Sequence, residues 1–423
     1  MRILKHKEFR RLMVGKFISM FGSNMLQIAL SWYVLAITGS ATIFSSMLAI
    51  AIIPRLLMSP FAGVVGDWFD RKKMIVGIDL FNGILLLAYG VYYMVNGDLS
   101  LPLIYGLVII LEVSEIFFGS AMSAVVPSLV EKDHLLEANK VRTIINQLSV
   151  TLTPMLGSLV YDTVGLSVLL IADGISFIVS AVMEMIIRIP KINKKPDKVS
   201  FENFKKDYVE GLRLIKEKKF LRLIISFGVV MNFALSPLFS VGIVFIAMFI
   251  LKVPMIQYGT FIMVVSFGNL MGPMLLSLVM KRNTVGPLLI KAFTVVTLMI
   301  GGIAILVSPP VLGLFKGHMI PLIILGVLSF ITAAMASMIN VLIGTLFDQM
   351  VPLEYMGRTA TTMQLGVLIA MPFGQLLMGL GIDHLPIYVM TLIVTGIVGL
   401  IVLRFKTPFY NLEDYSTQLK ASA

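Results

Sequence analysis

Cysteine is missing from this 423-residue chain. Its absence excludes a disulfide, a thiolate nucleophile and a cysteine–metal site. Histidine is scarce: His6, His134, His318 and His384 fall at the ends of apolar runs or between them, which argues against a buried histidine metal cluster. Charge is the third shortage. Charged residues make up 13% of the chain, against roughly 25% in soluble domains. So few cannot cover a water-facing surface, and the membrane class is indicated before any motif is read. No G-x-x-x-x-G-K-[ST] loop is present, so direct ATP coupling has no support. Nothing resembles the repeated filter of a channel.

Apolar residues take up the space, at 58% of the chain. They run continuously, whereas a membrane barrel would alternate apolar and polar positions. A helical span needs about 20 mostly apolar residues. Twelve runs meet this requirement. The first half holds 9–36, 41–65, 74–95, 101–122, 143–161 and 166–187; the second holds 221–250, 255–280, 287–307, 319–342, 359–380 and 386–403. The first run is too long for a cleaved signal peptide and carries Asn24 and Gln27 in its middle. The fold expected is all-α, with twelve transmembrane helices in two bundles of six.

The net charge of +11 would suggest a nucleic-acid partner in a soluble protein. Here its distribution gives another reason. Arg2, Lys5, Lys7, Arg10 and Arg11 precede or open the first run; Arg71, Lys72, Lys73, Lys132, Lys140, Arg142, Lys281, Arg282 and Arg358 fall in the even gaps. The tail adds Arg404, Lys406 and Lys420, whereas the odd gaps carry only Lys252 and Lys316. The positive-inside rule then places both termini in the cytoplasm of a multi-pass cell-membrane protein.

One long polar segment, residues 189–219, divides the chain. The organisation expected is a bundle over 1–188, a basic linker over 189–219, a second bundle over 220–404 and a cytoplasmic tail over 405–423. Within the linker, Phe201, Phe204, Tyr208, Leu212 and Ile215 recur at helical spacing among lysines. That pattern predicts an amphipathic helix on the inner membrane surface. The bundles echo each other weakly. Val126-Pro127, Arg142-Thr143, Gln147, Pro154 and Gly157 are followed in the second half by Val351-Pro352, Arg358-Thr359, Gln364, Pro372 and Gly374. Two parallel repeats of this kind can rock about a central site, as alternating access requires.

The gap between the second and third runs reads Gly63-Val-Val-Gly-Asp67-Trp-Phe-Asp70-Arg71-Lys72-Lys73. It resembles the loop motif of the major facilitator superfamily, G-x-x-x-D-R-x-G-R-[RK], matching at Gly63, Asp67, Arg71 and Lys72. Trp68 and Asp70 depart from it, in a manner similar to the macrolide-efflux and drug:proton antiporter branch. The resemblance implies that Asp67 faces the start of the eleventh span near Gly357 to Thr359 and holds an inner gate, a carboxylate against the positive end of a helix. The plainer reading is a pair of interfacial turn charges. Thr153-Pro154-Met-Leu-Gly157-Ser158 looks like a degraded form of the antiporter motif G-P-x-x-G-G, or an ordinary proline bend.

Ionisable residues inside a span cost about 2.5–3.5 kcal/mol even on the lenient insertion scale, so each needs a partner or a function. Arg55 lies fourteen residues in from Ala41, and Glu112 and Glu115 lie eleven and fourteen in from Leu101. These depths are similar at about 1.5 Å per residue, and the glutamates share a helix face. One glutamate is expected to pair with Arg55 while the other carries a proton. A fixed polar cluster and direct binding of a cationic substrate are the alternatives. Asp173 is a further proton-coupling candidate or a hydrated interfacial charge. Asp79 is read as a structural charge beside the basic loop, and Glu184 as structural.

Family resemblance puts a substrate cavity between the first, fourth, seventh and tenth spans. Its polar candidates are Asn24, Gln27, Asn146, Gln147, Asn232, Asn269, Asn340 and Gln364, each equally able to join neighbouring helices. The 29 methionines and 27 phenylalanines suit repackable contact with apolar ligands. The leading expectation is proton-coupled efflux of a small apolar or amphiphilic compound, drug-like or macrolide-like, by a multidrug antiporter. A lysophospholipid or nutrient facilitator of the same fold is the first alternative, and an integral membrane enzyme the second. Expected partners are a small-molecule substrate, protons and membrane lipid, with no nucleic acid. No cofactor or metal is expected, and the chain is expected to act as a monomer.

Overall fold

The computed structural model describes residues 3, 6–68, 70–131, 134–188, 213, 216, 219–279, 285–351 and 353–410. The side chains of a few helical residues, the stretch 63–69 among them, lie outside this description. So does nearly all of the basic linker, and with it the expected surface helix. Every regular element among the described residues is helical. The long helices are, in order, α1 (Lys7–Thr38), α2 (Ala41–Trp68), α3 (Arg71–Asn96), α4 (Leu101–Leu129) and α5 (Leu135–Ile186), then α6 (Lys219–Pro237), α7 (Met255–Val279), α8 (Val285–Leu306), α9 (Met319–Met350), α10 (Leu353–His384) and α11 (Ile387–Tyr410).

Eleven described segments are long and apolar enough to cross a membrane. One of them, α5, is 52 residues long and holds two crossings. Its helical dihedrals fail at Gly165, with φ 84° and ψ 177°. The fifth and sixth spans therefore meet at one left-handed residue rather than a loop, and the total is the twelve that hydropathy indicates. In the seventh span, α6 ends at Pro237, which has no N–H to donate. Two π-helical stretches follow, Leu238–Gly242 and Ile246–Ile250, flanking the α-helical Ile243–Phe245.

Local sequence sets several helix ends. Asp70 precedes α3, and its carboxylate accepts from the backbone N–H groups of Lys72 and Lys73 at 3.0 and 3.3 Å. This is an N-cap, and it explains the aspartate where the superfamily motif carries glycine. Gly97 closes α3 in the left-handed region, φ 81°, and its N–H reaches the Tyr93 carbonyl at 2.8 Å. Ser100 and Pro102 then open α4, proline being tolerated in a first turn where no N–H is needed.

Packing divides the chain into two units. The first comprises residues 1–38, 50–200 and 255–263, and the second 39–49, 201–254 and 264–423. In the first unit, α1 and α3 pack along α5. A Cβ at Gly83 would stand 2.9 Å from the Gly174 carbonyl oxygen, so small residues set the separation of α3 from the sixth span. Phe9, Leu12, Met13, Ile75, Phe118, Met122 and Val125 form an apolar core near one end of α1, α3 and α4. In the second unit, α8 packs on α9 and α11, and α6 packs on α10. A Cβ at Gly272 would stand 2.5 Å from the Ala334 carbonyl oxygen, which draws α7 onto α9.

Candidate functional site

The clearest polar feature inside a span joins α2 to α4. Arg55 Nη2 donates to Glu112 Oε2 at 2.8 Å. The arginine side chain is 49% exposed and the glutamate 19%, so the pair is reached by solvent or ligand on one side and sheltered on the other. The sequence leaves open which glutamate pairs with Arg55; in the structure it is Glu112. Glu115 is exposed, and Lys16, Glu112 and Arg55 are the charges that act on it. Glu112 and Glu115 thus stand one turn apart on α4, with Arg55 of α2 paired to the first.

Lys16 was missed in the sequence, where it stands inside the first apolar run. Its Nζ lies 5.4 Å from the centroid of the Phe118 ring, within reach of a cation–π attraction. The criterion that singles out Arg55, a charge well inside an apolar run, applies equally to Lys16.

A second polar feature lies within the first unit. Asp173, Ser176, Ser180 and Glu184 recur at steps of three and four along the sixth-span part of α5, and all are buried. Asp79 on α3 is buried beside them, with Ser180, Glu115 and Lys16 as its polar neighbours. One oxygen of Asp173 accepts from the hydroxyls of Ser23 and Ser176 at 3.4 and 3.1 Å. Its other oxygen, one of Asp79 and both of Glu184 are buried without a hydrogen-bond partner. Buried polar atoms are rarely left in that condition.

The cavity candidates fall into two groups. Gln27, Asn146, Asn269, Asn340 and Gln364 are exposed, and Asn24 is half-buried. Gln147 is engaged on its own helix, donating to Thr151 Oγ1 at 3.1 Å, and Asn232 donates to the Gly228 carbonyl at 3.0 Å. The first four in the chain belong to the first unit and the last four to the second. A cavity of about 460 Å³, lined by Asp70, Lys73, Met74, Ile78, Val113, Ser114 and Phe117, lies elsewhere, along α3 and α4.

In the loop motif, Arg71 opens α3, and the Lys72 ammonium donates to the Met185 carbonyl at 2.6 Å. The side chains of Gly63 and Asp67 lie outside the described residues, as does the expected contact of Asp67 with the start of α10. In the antiporter-like stretch, Pro154 sits inside α5. Gly157 fits against α1, where a Cβ would stand 3.0 Å from Met25 Cα.

Comparison with known proteins agrees with this architecture. A model of the Major Facilitator Superfamily matches residues 12–361. The chain is 26% identical over 234 residues to Macrolide efflux protein A of Streptococcus pyogenes, covering 55% of this chain and 56% of that one. It is 26% identical over 253 residues to the MFS-type transporter YkuC of Bacillus subtilis, covering 57% and 58%. It thus spans somewhat more than half the length of these curated relatives. Among solved structures, the nucleoside transporter NupG superposes with a TM-score of 0.73 at 11% identity, covering 95% of this chain and 98% of that chain. A bacterial homologue of the iron transporter ferroportin in its inward-facing state gives 0.67 at 14%, covering 94% and 98%. At such identities the structural likeness speaks for the fold alone. Twelve apolar crossings, the loop motif at Gly63 to Lys72 and a family match over most of the length lead to one assignment: the chain belongs to the major facilitator superfamily, a family of multi-pass membrane transporters.

Proposed function

We propose that the protein is an exporter of the cell membrane, with both termini in the cytoplasm, that moves a small apolar or amphiphilic compound outward in exchange for protons. The Arg55–Glu112 ion pair at 2.8 Å, with Glu115 one turn further along α4, carries this reading. A guanidinium and a carboxylate inside a span are costly to place there, and a half-exposed pair can open to a competitor. A cationic or hydrogen-bonding substrate competes with Arg55 for Glu112. A proton arriving on either glutamate discharges the site and releases the substrate. The resemblance to proteins named for macrolide efflux supports outward transport of bulky amphiphiles.

The test is accumulation in proteoliposomes under an imposed pH gradient, screened against macrolides, lipophilic cations and lysolipids. Glu112→Gln and Glu115→Gln each lose gradient-driven accumulation but retain exchange of labelled for unlabelled substrate. Normal driven accumulation by both variants refutes the proton role. Uptake indifferent to the gradient in the unaltered protein refutes coupling altogether.

A further inference from the structure

Two aspartates at the ends of spans make the same contact in different units. In the second unit, the Asp383 carboxylate near the end of α10 caps the start of α2. It accepts from the backbone N–H groups of Ala41 at 2.8 Å and Thr42 at 3.0 Å, and from the Ser40 hydroxyl at 2.6 Å. Ser40 Oγ in turn accepts from the Ile43 N–H at 3.3 Å. The first three free donors of α2 are thereby satisfied, two of them by a residue more than 300 positions away. In the first unit, Asp162 of α5 accepts from the Ile256 N–H at the start of α7, at 2.8 Å. Pro254, just before that helix, offers no side-chain acceptor of its own.

The correspondence extends along the helices. Ser45 stands three residues after Thr42, and Gly259 three after Ile256; Ser158 stands four before Asp162, and Gly379 four before Asp383. These four residues form the two helix crossings. A Cβ at Gly259 would collide with Ser158 Oγ and the Pro154 carbonyl. One at Gly379 would collide with Ser45 Oγ and would stand 2.6 Å from the Ala41 carbonyl oxygen. Each clamp is therefore a glycine–serine crossing next to an aspartate cap, with glycine and serine exchanged between the two. Repetition of cap and crossing at matching positions of two repeats is not expected of incidental surface contacts. Both serines are fully buried, at 0% exposure, while both aspartates are exposed, so water can compete for the caps directly.

We propose that Asp162 and Asp383 are paired positioning residues of the transport cycle. Their caps hold α5 against α7 and α10 against α2 in one state, and the two clamps are released together in the other. A carboxylate on a helix N-terminus suits a reversible latch. It is directional, it gains from the helix dipole, and water can replace it without stranding a buried charge. The tight glycine–serine crossings beneath re-form only when the helix axes return to contact.

The chain has no cysteine of its own, so single cysteines report cleanly. Ser45→Cys and Ser158→Cys are labelled with a membrane-impermeant maleimide in lipid nanodiscs. The probe reaches both faces there, so the result depends neither on orientation nor on the substrate or ion. Asp383→Ala is expected to speed labelling at position 45 about fivefold, the factor a typical lost cap represents, and Asp383→Asn by less. The distinguishing result is the crossed one: Asp383→Ala also speeds labelling at position 158, and Asp162→Ala at position 45. Acceleration confined to each aspartate's own crossing means two independent caps and overturns the proposal. Unchanged labelling at both overturns it as well. Ala121→Cys, in the apolar core at 0% exposure, is the control. If it too becomes reactive in the aspartate variants, they loosen the whole fold and the proposal fails.

Discussion

Removing one member of the Arg55–Glu112 pair should harm the protein more than removing both. Glu112→Gln leaves Arg55 without its 2.8 Å carboxylate partner, and Arg55→Met leaves Glu112 without its guanidinium. A charge placed at the centre of a span costs about 2.5–3.5 kcal/mol on the insertion scale. Arg55 is 49% exposed, so solvent screens part of that cost. A penalty of about 1–2 kcal/mol for each single variant is the consistent magnitude for a half-exposed pair. The double variant Arg55→Met/Glu112→Gln strands neither charge. Its loss should fall below that of either single variant, which requires the two positions to couple by about 2 kcal/mol, within the range for residues in direct contact. The assay is thermal stability by fluorescence-detected size exclusion in detergent, run on the three variants in parallel. On the proton-exchange proposal, gradient-driven accumulation stays lost in the double variant although its stability recovers. Single losses that simply add would show that the pair does not couple and would refute the reasoning.

Other changes test the remaining features. Gly272→Val places a Cβ 2.5 Å from a backbone oxygen of α9 and should cost about 1–3 kcal/mol as overpacking, read as a lowered thermal midpoint; an unchanged midpoint refutes the close approach. Gly165→Ala forces a side chain into a backbone conformation that glycine alone adopts readily, φ 84° and ψ 177°, at about 1–3 kcal/mol, so limited proteolysis near residue 165 should accelerate. Asp70→Ala removes the cap of α3 and should cost about 0.5–2 kcal/mol, whereas Asp70→Asn should keep most of the stability. Glu184→Met removes two buried oxygens that lack partners and should leave stability unchanged or raised, while Glu184→Lys should lower the yield of folded protein.

Hydropathy alone marked every crossing, because a span is a local property of about twenty residues. The break between the fifth and sixth spans was legible for the same reason, although its reduction to one glycine was not. Arg55 and the two glutamates stood out as charges in apolar runs. Which glutamate meets the arginine depends on the rotation of α4 about its axis, and depth along the chain does not encode rotation. The buried row Asp173, Ser176, Ser180 and Glu184 has a visible helical period, yet only packing of α1 and α3 against α5 tells a protein-facing row from a lipid-facing one. The caps made by Asp162 and Asp383 were beyond the sequence for another reason. Each joins segments far apart in the chain, and a lone aspartate at a helix end gives no sign of what it reaches. The Asp67 gate and the linker helix fall on residues outside those described.

The joint at Gly165 has a mechanical consequence. Two rods linked by several residues of coil can slide, tilt and turn almost independently. Linked by a single residue, they share a pivot, and their lateral separation there is fixed by covalent geometry. Displacement of the fifth span at that end has to be passed to the sixth as rotation about one pair of torsion angles. The sixth is held by α1 at Asp173 and Ser180 and by α3 at Ile171, Gly174 and Ile178, so any swing of the fifth pivots at that tip and has its widest travel at the opposite end near Leu135.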